Sequence, residues 1–337
     1  MLWRNAACGC NLAAQTETPD VKRVAILAAV TGALAAGALL LRVAAQGASD
    51  EQTITRYDCE SKYYRIRVVD YPKEGRRCLH FSKSRGIQSS MILADPIQLD
   101  LRYSQTMVAA LALHPAPRDV LLVGLGGASI PKFIQKHFPD VRLDIVEIDP
   151  DVVRVCQEWF EFKGTPNTRV VVMDGRMYLK RSPKPYDVIM LDAYAADRIP
   201  FHLTTLEFIQ LVKSRLKPGG VAVSNLWERA LNRFYHAELR TFQVAFPQCY
   251  LCESGDSGNI VVFGSLAPEQ ALKADWARRA ADLGAGKDFG FSLAELVTQE
   301  YQHLTPQKIS EKPLTDNMAP VDTLRREHPK HFEEGQS

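Results

Sequence analysis

The sequence has no marked excess of charge of either sign. Its 41 Lys and Arg residues and 39 Asp and Glu residues leave a formal net charge of +2 over 337 residues. Basic runs reach only two residues, as in Lys22-Arg23 and Arg76-Arg77. Proteins bind nucleic acids through clustered Lys and Arg side chains, so the sequence offers no electrostatic basis for a nucleic-acid partner. This charge composition is compatible with a small-molecule ligand.

Cysteine is too scarce and too irregular for a disulfide framework. If residues 1–45 are removed as a leader, five of the seven cysteines remain, and an odd number cannot pair completely. Cys249 and Cys252 have the spacing of a metal or redox pair. However, they lie in the strand-like stretch QCYLCE, where side chains three positions apart face opposite sides. We interpret them as ordinary strand cysteines, and the sequence predicts no metal site.

Long apolar runs are also absent, with one exception near the start. Residues 24–41 (VAILAAVTGALAAGALLL) contain no charge and are flanked by basic residues. A segment of this kind is typical of a signal peptide or a membrane anchor, and it lacks the polar face of a globular surface helix. We therefore expect residues 1–45 to be a leader with an apolar helix at 24–41, and the protein to be membrane-anchored or exported. A cytoplasmic protein is the alternative.

Residues 54–95 form the first globular segment. The stretches 54–70 and 77–90 are rich in β-branched and aromatic residues and are joined by the turn sequence YPKEG, which predicts a small antiparallel β module. This module is also a candidate homodimer surface. A helix is expected at about 100–113, after which the pattern changes.

Between residues 100 and 265, apolar strands alternate with helical segments. This alternation predicts a mainly parallel sheet covered on both faces. The last two strands are linked only by SGDSG, too short for a crossover helix, so they should be antiparallel. The predicted fold is α/β, with a Rossmann-like seven-stranded sheet of the class I methyltransferase type. Residues 266–337 are expected to be a helical and polar tail. The seven strand candidates are DVLLVG, RLDIVEI, RVVVMD, DVIMLD, GVAVSNL, QCYLCE and NIVVFG.

The first strand runs into a glycine-rich turn, VGLGGAS, which opens a helix. Gly124, Gly126 and Gly127 would let the backbone turn tightly and approach a ligand. A third dinucleotide-type glycine is missing, because Ser129 stands there. Turns of this kind also occur for packing reasons alone.

The next three strands end in acidic residues. Glu147 is placed to accept hydrogen bonds from ribose hydroxyls, while Asp149 is a candidate cap for the following helix. Asp174, followed by Gly175, could accept from an exocyclic adenine amine, and Asp192 ends the fourth strand. The carboxyl ends of parallel strands share one sheet edge, so this series favours a nucleoside site over a set of unrelated turn formers.

These motifs resemble the spermidine synthase family of polyamine aminopropyltransferases, and in particular a bacterial spermidine-synthase-like subgroup. VGLGGAS, VEIDP, MDG, LDAY and LKPGGVAVSN carry the resemblance, which with the β module covers about residues 54–265. It implies the class I methyltransferase fold and aminopropyl transfer from decarboxylated S-adenosylmethionine to a small-molecule amine. Because the sulfonium already activates the leaving group, no metal is implied.

The resemblance also implies a role for each site residue. Glu147 would hold the ribose, Asp174 the adenine, and Gln88 the aminopropyl or methionine end of the co-substrate. Asp192 would receive the amine and accept its proton with the help of Tyr103. His202, in IPFHLTT, is either a loop histidine without chemistry or a functional group near the site.

Two departures from the family pattern concern the acceptor. The family has aspartates where this chain has Gly127 and Ala195, and both would bind positively charged amines. Methyl transfer from S-adenosylmethionine itself is therefore an alternative, because loss of the acid at 127 would favour the methionine carboxylate. A non-catalytic nucleoside- or polyamine-binding protein is a third hypothesis, against which Asp192 and Tyr103 argue.

Overall fold

The computed structural model of the protein describes residues 53–81, 86–194, 199–253, 258–304 and 309–318. The expected leader and its apolar segment 24–41 lie outside these residues. Among the helices that are described, none combines the length and apolar character needed to cross a bilayer.

The N-terminal β module is a four-stranded antiparallel sheet with strands in sequence order. Its strands are β1 (Ile54–Glu60), β2 (Arg65–Tyr71), β3 (Arg76–Phe81) and β4 (Ser89–Ile92). The predicted turn between β2 and β3 is confirmed, and Gly75 there has a φ of +62° that favours glycine. One face of the module packs into the main core through Val68, Leu79 and Met91.

The large sheet contains eight described strands, and its seven predicted members are confirmed. Five are parallel, in the order β7-β6-β5-β8-β9, and β11, β10 and β12 continue the sheet with antiparallel pairing. The short strand β12 comes from the segment that we expected to be only helical and polar. The bounds are β5 Asp119–Val123, β6 Arg142–Glu147, β7 Thr168–Val172, β8 Tyr186–Leu191, β9 Leu216–Trp227, β10 Gln248–Glu253, β11 Asn259–Ser265 and β12 Tyr301–His303.

Helices cover both faces of this sheet and enclose two apolar clusters. Phe133 and Trp276 belong to one cluster, and Phe208 and Phe242 to the other. The helices are α1 Arg102–Met107, α2 Ala110–Leu113, α3 Ser129–His137, α4 Pro150–Trp159, α5 Gly175–Arg181, α6 Leu206–Ser214, α7 Tyr235–Ala245, α8 Lys273–Gly284 and α9 Leu293–Glu300.

The single helix expected at 100–113 is divided into α1 and α2. At the break, i to i−3 bonds such as Ala109 N–H to Thr106 O and Ala112 N–H to Ala109 O replace the regular i to i−4 pattern. The Trp276 indole N–H also donates to the Ala109 carbonyl at 3.0 Å. A contact with a helix more than 160 residues later therefore lies at the break.

Strand order reverses beside β5, which pairs with β6 on one side and with β8 on the other. In open α/β sheets, a crevice forms outside the carboxyl ends of the strands at such a point. The tips of β5, β6, β7 and β8 therefore converge there, as predicted.

Candidate active site

A cavity of about 430 Å³ lies at this edge of the sheet. Its wall combines strand tips of the large sheet with residues of the N-terminal β module and of the loop after β8. Eight of the nine predicted site residues line it: Gln88, Tyr103, Gly124, Gly126, Glu147, Asp174, Gly175 and Asp192.

The turn after β5 requires glycine at two positions. Gly124 has a φ of +99°, and a Cβ there would lie 2.3 Å from the carbonyl oxygen of Asp192. Gly126 has a φ of +52° and lies against the side chain of Ser89. The glycines therefore bring the β5 turn against both the end of β8 and the β module.

Gly127 is the predicted residue that does not line the cavity. Its N–H donates to Ser89 Oγ at 2.8 Å, and an added Cβ would lie 2.7 Å from Ser89 Cβ and 3.2 Å from Phe160 Cδ1. Any contribution of this position to binding would be indirect, through the packing of the turn.

Glu147 stands at the tip of β6 and is buried. One carboxylate oxygen accepts from Leu125 N–H at 2.9 Å and the other from Asp149 N–H at 3.0 Å. Burial raises the pKa of Glu147, and the two N–H donors act in the opposite direction. Each oxygen retains a lone pair for a further donor, so the carboxylate is oriented to accept from a diol. As expected, Asp149 caps α4, by accepting from Asp151 N–H.

Asp174 caps α5 and faces the cavity at the tip of β7. Its Oδ1 accepts from Met177 N–H at 2.9 Å, and its Oδ2 lies 2.8 Å from His202 Nε2. The neighbouring Gly175 permits close packing of α5, since a Cβ there would lie 2.4 Å from Val123 Cγ1. His202, which the sequence left open, is thus a partner of a predicted ligand-binding residue.

Asp192 lies at the tip of β8, half-buried on the cavity wall. Its Oδ1 accepts from Asn225 Nδ2 at 3.0 Å, and the Tyr103 hydroxyl also hydrogen-bonds to the carboxylate. Burial raises the pKa of Asp192 to about 7, although the bonds from Asn225 and Tyr103 lower it. A carboxylate with this pKa can exchange protons near neutral pH.

Tyr103 lies between Asp192 and Gln88, the residue expected to contact the co-substrate. Its hydroxyl lies 3.2 Å from the carbonyl oxygen of Gln88. Burial and the charge of Asp192 raise the pKa of Tyr103 well above its usual range, so the phenol stays protonated and can donate. The structure therefore brings together Asp192, Tyr103 and Gln88, which are distant in sequence.

Several residues at the site were not predicted. Asn225 accepts from Asn259 Nδ2 at 3.0 Å while it donates to Asp192, and the Tyr194 hydroxyl donates to the Asn225 carbonyl at 3.1 Å. Asn225 lies near the end of β9, the fifth parallel strand, so the strand-tip rule could have found it. Ser89 and Tyr64 come from the β module.

The described part of the cavity wall is acidic. It includes the carboxylates of Glu147, Asp174 and Asp192 and neither Lys nor Arg. Such a wall favours a cationic ligand, for example a sulfonium or an ammonium. No cluster of three or more His, Cys, Asp or Glu side chains suited to a metal ion occurs among the residues described.

Residues 101–252 match the family model for the spermine/spermidine synthase domain. A polyamine aminopropyltransferase of Vibrio vulnificus (strain CMCP6) is 34% identical over 216 residues, covering 61% of this chain and 72% of that protein. The eEF1A lysine and N-terminal methyltransferase of Mus musculus is 36% identical over 195 residues, covering 53% of this chain but 28% of that protein.

Among solved structures, a spermidine synthase in complex with the transition state analogue AdoDATO has a similar fold. The TM-score is 0.62 at 20% sequence identity, with 73% of this chain and 84% of that chain covered. The shared fold has the class I methyltransferase arrangement expected from the sequence.

Proposed function

The chain belongs to the spermidine synthase family of polyamine aminopropyltransferases, and on that premise we propose that it transfers an aminopropyl group from decarboxylated S-adenosylmethionine to a small-molecule amine. The observation that carries this proposal is the position of Asp192. Its carboxylate faces an acidic cavity, has neutral hydrogen-bond donors in Asn225 and Tyr103, and has a pKa of about 7.

The polar side chains along the cavity fit the parts of this co-substrate. Glu147 would accept from the ribose hydroxyls, Asp174 from the adenine amine, and Gln88 would contact the aminopropyl end. These contacts remain proposals, supported by the orientation of the carboxylates. The co-substrate supplies a sulfonium, which makes the adjacent carbon electrophilic.

Asp192 would then align the acceptor amine and take its proton. The amine nitrogen forms a bond to the aminopropyl carbon, the bond from that carbon to sulfur breaks, and methylthioadenosine leaves. The proton released by the new ammonium passes to the Asp192 carboxylate, which Tyr103 and Asn225 hold in place. Exclusion of bulk water and a fixed direction of approach provide much of the rate gain in such displacements.

Calorimetry and product analysis with the full-length chain test this function. We expect tight binding of decarboxylated S-adenosylmethionine and of methylthioadenosine, and mass spectrometry should detect an aminopropylated product with putrescine, spermidine or a monoamine. Asp192→Asn should bind the co-substrate and form little product. Failure to bind any of the three adenosine compounds, S-adenosylmethionine included, would contradict the proposal.

Methyl transfer is the second candidate, because a methyltransferase is 36% identical over 195 residues. Gly127 does not line the cavity, and a Cβ there would lie 2.7 Å from Ser89 Cβ, so the missing acid at this position gives no direct support for a methionine carboxylate. Preferential binding of S-adenosylmethionine, with a methylated product, would favour this candidate over aminopropyl transfer.

Two further expectations stay predictions. They are membrane anchoring through residues 24–41, which lie outside the described residues, and a homodimer through the β module. Neither affects the chemistry proposed for the cavity.

A further inference from the structure

We propose that His202 is a positioning residue for nucleobase recognition, and that the C-terminal strap, defined as residues 309–318, holds it in place. His202 would fix Asp174 as a hydrogen-bond acceptor for an exocyclic amine. The inference rests on the proposed nucleoside site, but concerns residues that the motif resemblance did not assign.

The contact between His202 and Asp174 has a defined polarity. A carboxylate only accepts, so His202 Nε2 must carry the proton that points to Asp174 Oδ2 at 2.8 Å. Oδ1 is already bound by Met177 N–H. With both oxygens held, the carboxylate cannot rotate, and its remaining lone pairs stay directed at the cavity that both residues line.

This arrangement should select between nucleobases. An adenine amine can donate to the fixed carboxylate, whereas the carbonyl oxygen of a hypoxanthine would meet a second acceptor. A site whose acceptor is fixed disfavours a ligand that has no N–H to donate to it. The carboxylate and the ligand carbonyl would then both lack a hydrogen-bond donor.

Arg176 ties the His202 backbone to α5. Its Nη1 donates to the His202 carbonyl at 3.1 Å, and its two terminal nitrogens bind the Asp316 carboxylate at 2.8 and 2.5 Å. This paired geometry is the stronger form of an ion pair. Arg176 also holds the pKa of Asp316 at about 2, so Asp316 stays ionised over the working pH range.

The C-terminal strap also contacts the start of α6, which follows His202 in sequence, and the helix α7. Leu314 accepts from Leu206 N–H at 2.7 Å and donates to Thr241 Oγ1 at 3.0 Å. Asp316 accepts from Thr205 Oγ1 at 2.7 Å. The strap lies beyond the matched family domain, residues 101–252, and it connects a segment distant in sequence to the nucleobase end of the cavity.

The alternative is a surface hydrogen bond without function. The side chains of His202 and Asp174 are 47% and 24% exposed, and exposed pairs often contribute nothing measurable to stability. A structural role would change stability, or the affinity for all nucleosides equally. A role in recognition would change the preference for one nucleobase over another.

The test is calorimetry of the full-length chain with methylthioadenosine and with methylthioinosine, in which hypoxanthine replaces adenine. We expect His202→Ala to weaken methylthioadenosine binding by about 10–150-fold, as expected for one lost hydrogen bond to a charged group, and to leave methylthioinosine nearly unchanged. His202→Gln keeps an N–H donor at a similar reach and should recover most of the preference. Asp316→Asn should lose part of it.

His236→Ala, a change on α7 away from the cavity wall, is the matched control and should keep the wild-type preference. Thermal unfolding of each variant shows whether it is folded, and Asp316→Asn serves if His202→Ala is not. An unchanged preference in His202→Ala, or an equal loss for both ligands, would overturn the inference. If the wild-type chain binds neither compound, the proposed nucleoside site itself fails.

Discussion

Asp192→Asn should make the protein more stable and nearly inactive. The pKa of Asp192 is about 7 in the folded chain, whereas an aspartate in an unfolded chain has a pKa of 3.8. Between about pH 4 and pH 7 the folded state keeps a proton that the unfolded state has lost, so the free energy of unfolding falls as pH rises. The full difference corresponds to about 4 kcal/mol, and cavity water should reduce it to roughly 2–4 kcal/mol.

Asparagine has no charge, so it avoids the loss of stability that comes from ionising Asp192 while it keeps most of the contacts. Its side-chain oxygen can still accept from Asn225, and the Tyr103 hydroxyl retains the Gln88 carbonyl as a partner. The variant should therefore gain roughly 3–8 °C in Tm at pH 8, with the gain shrinking to zero near pH 4. Its turnover should fall by roughly 10²–10⁴-fold, and the wild-type profile of kcat/KM should rise through about pH 7.

Asp187→Asn is a matched control on the same strand. At the opposite end of β8, burial raises the pKa of Asp187, but hydrogen bonds from Asp119 N–H, Arg118 N–H and Lys217 outweigh it and place the pKa below its usual value. This substitution should lower Tm at pH 7. Thermal scans at one heating rate between pH 4 and 8, with turnover at saturating co-substrate, measure both effects. An Asp192→Asn chain that is less stable at pH 8, or fully active, would refute the reasoning.

Three further substitutions test neighbouring parts of the site. Tyr103→Phe should lower turnover by roughly 10–100-fold with co-substrate affinity retained, since one hydrogen bond to Asp192 is lost; steady-state kinetics would contradict this if only KM changed. Glu147→Gln should weaken methylthioadenosine binding by about 10–100-fold in calorimetry, because an amide N–H would oppose a backbone donor; unchanged affinity would exclude the ribose role. Gly127→Ala should cost about 1–3 kcal/mol of stability, as its Cβ would lie 2.7 Å from Ser89 Cβ; an unchanged Tm would contradict the packing.

The parallel sheet could be predicted because its signal is local. Each of the strands β5 to β8 is a short apolar run bounded by a turn, and the length of each connection decides between parallel and antiparallel pairing. The strand β12 could not be predicted, because Tyr301–His303 is too short for a periodic pattern and forms only by pairing with β10. The contact of Trp276 with the Ala109 carbonyl, at the break between α1 and α2, also joins residues distant in sequence.

In the candidate site, too, some residues have a local sequence signal and others depend on distant contacts. Glu147, Asp174 and Asp192 could be found because each occupies a strand tip, and topology places such tips at one edge. The pairing of His202 with Asp174 could not, since the direction of a loop side chain depends on contacts such as that of Arg176 with Asp316, 140 residues away. Gly127 shows the limit of a motif, since a glycine in a ligand-binding pattern here packs against Ser89 instead.

The two carboxylates at the ends of β8 have different hydrogen-bond partners, which indicates different roles. Asp187 and Asp192 lie at opposite ends of the same strand, yet Asp187 is bound by Lys217 and two backbone N–H groups, while Asp192 is bound by the neutral side chains of Asn225 and Tyr103. A group that anchors a permanent cation gains from a low pKa, whereas a proton acceptor needs a pKa close to the working pH. The environment of Asp192 therefore favours a base that receives a neutral amine and releases its proton, over a fixed counter-ion for an ammonium group.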